Sequence, residues 1–273
     1  MKAKKSEGEI VKKTKTPNTI TSLKHDFKTL GITTGSVVIM HSSLSEIGWT
    51  VGGPVSVIQA LLEILTTNGT LIMPTFSSDN SDPTYWENPP VPEEWWDIIK
   101  TQMPAYQPEI TPTREMGRIT DTFRNWPNVL RSAHPSLSFA AWGKYAKKVT
   151  ANHKLTSGLG EDSPLARIYD LDGKILLLGV NHYNNTSLHL AEYRSEFPGK
   201  NYVKSGSAMI IKNKRSWVEY EDLDHNSDDF EQLGIDYESE INYIPGKIGI
   251  GETRLISQRK IVDFAKEWFP KNR

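Results

Sequence analysis

The chain has 273 residues, with 32 Lys and Arg against 33 Asp and Glu, seven histidines and no cysteine. The near-zero net charge of −1 argues against a nucleic-acid partner, which calls for a basic excess. The lack of cysteine excludes disulfides, thiolate metal sites, iron–sulfur clusters and a cysteine nucleophile. A composition of 37% hydrophobic and 24% charged residues fits a globular protein that buries a sizeable core. Met1 to Thr16 holds six lysines without the apolar stretch of a secretory signal, and reads as a flexible basic tail over 1–16. A single domain is expected over 17–273. No window approaches the ~18 apolar residues of a membrane span, so no membrane partner and a cytoplasmic location are expected.

Ile20, Leu23, Phe27 and Leu30 recur at helical spacing, and Gly31 follows as a stop. Val37-Val38-Ile39-Met40 has the unbroken apolar, β-branched content of a buried strand. It runs into the polar turn His41-Ser42-Ser43-Leu44-Ser45, then Gly48, Gly52 and Gly53. Pro54 opens a helix on Ile58, Leu61, Leu62 and Leu65. Leu71-Ile72-Met73 is a second buried strand, cut off by Pro74. Strand, polar loop, helix, strand is the order of a βαβ unit. From Phe76 to Pro112, seven prolines and three tryptophans dissolve the pattern. This is either a lid-like insertion or a surface excursion packed by its own aromatics. Lys174 to Leu178 is another buried strand, closed by Gly179. Thr186 to Arg194 reads as a short helix, Ala208 to Ile211 and Trp217 to Tyr220 as paired strands. A last helix carries Ile261, Phe264, Ala265 and Trp268. The fold class is α/β.

Three features carry chemistry. The polar, Gly-rich stretch from His41 to Gly53 lies between a strand end and a helix start, where backbone N–H groups hold phosphates, although an ordinary connecting loop reads the same way. It lacks the spacing of a P-loop or a dinucleotide fingerprint. The second feature is the helix after the Lys174–Gly179 strand. His189, Glu192 and Tyr193 share one face there, and the carboxyl end of a buried strand is where open sheets place catalysis. A solvated His/Glu pair is the simpler alternative. His182, His189 and Glu192, with His41 or His134, form a conceivable metal set, but the H-E-x-x-H spacing is absent. The third feature is the run from Glu219 to Glu240, with ten acids and no Lys or Arg. It is a solvated surface or a cleft for a polycation.

Several blocks in the same order resemble the aminoglycoside N3-acetyltransferase family. They are His41 to Gly48 with Val51-Gly52-Gly53; Gly69 to Thr75; Met116-Gly117-Arg118-Ile119 with Phe123-Arg124; and Arg131 to Pro135 with Ser138-Phe139. Gly160 to Leu165, Asn185 to Glu192 and Val262-Asp263-Phe264-Ala265 follow. Where the family often has Pro-Glu, this chain has Thr120-Asp121. The resemblance implies a three-layer α/β/α sandwich and acetyl-CoA as cosubstrate, with no metal. It also implies a histidine general base, by position His189, with Glu192 or Glu219 to orient it. His41, Ser42, Ser43, Leu44, Ser45, Gly53, Thr75, Gly117 and Ile119 would contact the cofactor. Asp79, Asp82, Tyr193, Glu221 and Asp222 would hold a polycationic amine. A metal-dependent hydrolase and a non-catalytic CoA-binding protein are the competing readings.

Overall fold

The computed structural model describes residues 6–273. The chain runs α1 (Glu7–Lys13), α2 (Ile20–Leu30), β1 (Val37–Ser42), α3 (Pro54–Leu65), β2 (Thr70–Pro74), α4 (Trp96–Gln102) and α5 (Gly117–Phe123). It continues through β3 (Leu130–Arg131), β4 (Phe139–Gly143), α6 (Ala146–Thr150), α7 (Pro164–Asp170), β5 (Lys174–Leu178) and α8 (Leu188–Arg194). The hairpin β6 (Tyr202–Ile211) and β7 (Lys214–Leu223) comes next, followed by α9 (Phe230–Glu240), β8 (Gly246–Ile248), β9 (Gly251–Ser257) and α10 (Gln258–Asn272). Among the described residues no helix is long and apolar enough to cross a membrane.

Seven strands form one mixed sheet in the order β3-β4-β2-β1-β5-β9-β8. β1 is parallel to β2 and β5, and antiparallel strands complete both sides. The apolar runs of β1 and β5 are continuous because both sheet faces are covered. Val38, Met40, Leu176 and Leu178 pack with Leu23 and Phe27 of α2, Leu61 of α3 and Phe123 of α5. Their neighbours Val37, Ile39, Ile175 and Leu177 face the other way, toward Leu165 of α7, Leu188 of α8 and Phe269 of α10. This is the expected α/β/α sandwich.

Local sequence accounts for the element ends. Thr19 and Ser22 form a capping box at the start of α2, and Gly31 closes it in the left-handed conformation. The hairpin is longer than its apolar residues indicated. Lys212 and Asn213, with φ of 49° and 62°, make its two-residue turn, and the pairing runs through charged positions that no hydrophobic pattern marks. Part of the expected basic tail, Glu7–Lys13, is the helix α1, capped by Ser6 and tied down where Thr14 Oγ1 accepts from Trp49 N at 2.8 Å. That corrects the tail expectation for these residues; Met1 to Lys5 lie outside the described residues.

The Pro/Trp-rich stretch from Phe76 to Pro112 consists of single turns and α4, docked on the hairpin. Tyr106 N donates to Ala208 O, and Ser207 Oγ to Asn80 O. Half-buried Arg131 fastens the same stretch to the sheet. Its guanidinium donates to the carbonyls of Thr75, Pro108 and Thr111 and to the hydroxyls of Ser77 and Ser138. Arg131→Ala strands these acceptors at once and should cost about 2–4 kcal/mol. Urea unfolding should show the loss, and limited proteolysis should show faster cutting between residues 104 and 112. An unchanged cleavage pattern would mean the stretch is held elsewhere.

Candidate active site

The crossovers on either side of β1 lie on opposite faces of the sheet: α3 leads from β1 to β2 on one face, and α7 precedes β5 on the other. Such a switch opens a crevice at the carboxyl ends of the parallel strands. A cavity of about 220 Å³ occupies this place. Met40, His41 and Ser42 of β1 form its floor with Pro74 and Phe76 from the end of β2. Glu115 and Met116 approach from just before α5 and Thr120 from within it, and Tyr183, Asn184, Thr186 and His189 follow β5. Ser227 closes the wall. Gly179, at φ +67°, makes the close fit behind it. A Cβ there would lie 2.7 Å from Glu46 Cβ and 3.1 Å from Ser43 O, so the turns after β1 and β5 press together only because Gly179 has none.

The i, i+3 spacing on α8 brings His189 Nδ1 to 2.5 Å from Glu192 Oε2. Glu192 is fully buried and His189 nearly so, with side-chain exposures of 0% and 13%. The carboxylate takes two further approaches that the sequence reading missed. Arg273 Nη1 donates to Oε1 at 2.5 Å, Asn226 N donates to the same oxygen at 3.3 Å, and Arg273 itself is clamped by Asp229. No sequence signal marks these partners, since they lie 34 and 81 positions from Glu192. An ionised carboxylate only accepts, so a neutral His189 carries its proton on Nδ1, and Nε2 keeps its lone pair.

Two more imidazoles approach His189. The His225 ring centre lies 5.0 Å away, and His41 lines the same cavity. Burial, with the nearby His189 adding to it, lowers the His41 pKa to about 3 and that of His225 well below its ordinary value. His41 Nε2 is buried without a hydrogen-bond partner. Phe230, at 4.7 Å, packs on the His189 ring.

The other expected residues divide by location. His41 and Ser42 line the cavity; Ser43 and Ser45 hydrogen-bond each other at 3.2 Å, just beyond it. Leu44 packs partly into the core and Ile119 is buried in it. Gly53 caps α3 with φ 56° and no side-chain bond at that helix start, and a Cβ built on it would sit 3.9 Å from Arg118 Nη2. Gly117 opens α5. The buried Thr75 hydroxyl is engaged by Ser138 and Arg131. Asp79 pairs with Arg114, and Asp82 with Lys100 at 3.0 Å. Tyr193 donates to buried Asp222 at 2.6 Å, which also accepts from Gly158 N. Burial raises the pKa of both, and the Asp222 charge raises that of Tyr193 further. Glu219 and Glu221 are exposed on β7, and Glu192, not Glu219, bonds His189. His182 bonds Glu238 at 2.9 Å instead of joining His189, and His134 lies against His153.

A histidine backed by a buried carboxylate, in a crevice at the carboxyl ends of the parallel strands, equips a protein to move a proton on a bound substrate. The model of the aminoglycoside 3-N-acetyltransferase family matches residues 39–270, and the chain belongs to this family of acyltransferases. It is 47% identical over 265 residues to the SPbeta prophage-derived aminoglycoside N(3')-acetyltransferase-like protein YokD of Bacillus subtilis (strain 168), across 97% of each chain. The crystal structure of YokD from Bacillus subtilis matches with a TM-score of 0.94 at 46% identity, over 97% of this chain and 98% of that one. AAC-IIIb, in a binary complex with CoASH, matches at 0.84 and 27% identity, over 94% and 97%. AAC-VIa bound to sisomicin matches at 0.84 and 29%, over 94% and 99%.

The depressed pKa of His41 makes stability depend on pH. Above its ordinary value of 6.5 the ring is neutral folded or unfolded and contributes nothing. Below 6.5 the unfolded ring takes a proton that the folded one refuses until about pH 3, so stability falls across that window. His41→Asn should remove about one proton's share of the slope of unfolding free energy against pH between roughly 6 and 4. Urea titrations at stepped pH measure it, and an unchanged slope would contradict the buried neutral ring.

Proposed function

We propose that the protein transfers the acetyl group of acetyl-CoA directly to the 3-amino group of an aminoglycoside, with His189 as general base. The observation that carries this reading is the buried His189–Glu192 pair, its ring at the wall of the cavity between β1 and β5. Support for the two substrates comes from the relatives bound to CoASH and to sisomicin. An acetyl-CoA-dependent reaction belongs in the cytoplasm.

The geometry supports the following chemistry. A protonated amine has no lone pair with which to attack a thioester. His189 Nε2 takes a proton from the attacking nitrogen as its bond to the acetyl carbon forms. The carbon–sulfur bond then breaks and the thiolate of CoA leaves, to be protonated in turn. Glu192 holds the ring through Nδ1–H and counters its positive charge once it is protonated, as a carboxylate does in other histidine-based sites. Neutral His41, with a ring nitrogen unmatched, is a hydrogen-bonding group beside the reacting carbonyl. For the cosubstrate, the start of α3 offers free backbone N–H groups, and Arg118 stands next to it. That combination suits the phosphates of CoA.

The acceptor side is acidic. Glu115 lines the cavity, and exposed Asp224 and Asp228 lie in the same loop as Ser227, which lines it too. These acids fit a polycation better than Asp79, Asp82 or Asp222, whose charges are already matched within the chain.

Purified protein should acetylate an aminoglycoside once, at the 3-amino group, with stoichiometric release of CoA thiol, read by mass spectrometry and a thiol assay. His189→Ala should lower kcat by roughly 10²–10⁴-fold with acetyl-CoA affinity nearly unchanged. Wild-type turnover in that variant would sink the mechanism. Thiol release without acetylated product from any of a panel of aminoglycosides would sink the acceptor.

A further inference from the structure

Glu192 lies between two positively polarised groups. His189 meets Oε2 and Arg273 meets Oε1, each at 2.5 Å, and the carboxylate is fully buried. The guanidinium keeps its charge throughout. Arg273 is itself held on several sides. Its Nε and Nη2 grip Asp229 at 2.7 and 2.8 Å, and Nη2 also donates to Asn226 O at 2.8 Å. Its charge sits 4.0 Å from the ring centre of Phe269 and 4.8 Å from that of Phe197. Burial works against this charge, but the bonds to Asp229 and Glu192 outweigh it and raise the guanidinium pKa above its usual value.

We infer that Arg273 is a positioning residue for the transfer: it counters the Glu192 charge, fixes that carboxylate toward His189, and ties down the stretch 226–229 that carries Ser227 to the cavity wall. This rests on His189 being the base. A carboxylate without Arg273 would turn its full charge on the imidazole. The arginine therefore opposes protonation of the ring that must accept the substrate's proton.

The surroundings let this effect be isolated. The titratable and charged groups around His189 are Glu192 on its own helix, His41 from β1 and His225 from the loop after β7. Glu115 and Tyr183 share the cavity with the ring, and Arg273 with Asp229 stands behind Glu192. Burial keeps His41 and His225 neutral over the useful pH range. Arg273 is thus the cation whose loss should be felt at the ring.

The test compares wild type, Arg273→Ala, Arg273→Lys and His189→Ala in acetyl transfer to one aminoglycoside across pH. Circular dichroism and acetyl-CoA titration calorimetry are run on each. Arg273→Ala should lose kcat by roughly 10–100-fold, the range seen when a group orienting a reactive histidine from behind is removed. KM for acetyl-CoA should hold, and the acid limb of kcat/KM should move to higher pH because the opposing charge is gone. Arg273→Lys restores the charge without the fork that spans Glu192 and Asp229. Its acid limb should return toward wild type while kcat recovers only in part. A folded Arg273→Ala with an unmoved acid limb, whatever its kcat, would overturn the proposal and leave Arg273 a structural contact. Should Arg273→Ala not fold, Arg273→Lys decides alone, and wild-type kcat in that variant overturns the proposal. His189→Ala with near-normal turnover would overturn the base assignment first and this inference with it.

Discussion

A carboxylate shut away from water organises the functional end of this protein. Glu192 is fully buried, and an ionised group in that position is tolerated only when its oxygens are matched. His189, Arg273 and the Asn226 N–H do the matching. Removing one of them would leave a charge in the interior, so the segments that supply them must meet at one point. Those segments are α8, the loop after β7 and the end of α10, and their meeting forms the wall of the cavity.

The sandwich creates the place where they meet. Continuous apolar runs in β1 and β5 require cover on both faces, and that cover sends crossovers to opposite sides of the sheet. The crevice at the strand ends follows from this topology. Phe230 and Phe269 pack beside the charged cluster, so apolar and ionic contacts reinforce each other there. Burial that forbids charge on His41 and His225 leaves His189 the only one of these three imidazoles with a carboxylate on its ring.

What the sequence revealed was local. The strands at Val37 and Lys174, the helix behind Pro54 and the His189–Glu192 face each follow from a short-range pattern, and all are present. The hairpin was legible only over Ala208–Ile211 and Trp217–Tyr220, because the rest of its pairing runs through polar and charged positions such as Lys204 with Glu221 and Gly206 with Glu219. Arg273 and Asn226 gave no signal, since only the fold brings them to Glu192. Thr75 is legible as a strand-end residue after Pro74, but not the partners of its hydroxyl, Arg131 and Ser138, which only the fold brings to it. The acidic run told less than its ten charges suggested. Asp229, Glu231, Asp236 and Glu238 spend theirs on Arg273, Asn181, Trp268, and His182 with Arg254. Composition counts charges; partners decide which remain for a ligand.

For His189 to act as proposed, the buried carboxylate must hold its proton on Nδ1 and leave Nε2 free. Nitrogen-15 NMR of imidazole-labelled protein tests this directly, with His189→Gln used to assign the signal. In the neutral ring a protonated Nδ1 in a strong hydrogen bond and a bare Nε2 are expected, with the Nδ1 proton signal lost or shifted in Glu192→Gln. A neutral His189 protonated on Nε2, or an Nδ1 proton indifferent to Glu192→Gln, would contradict it.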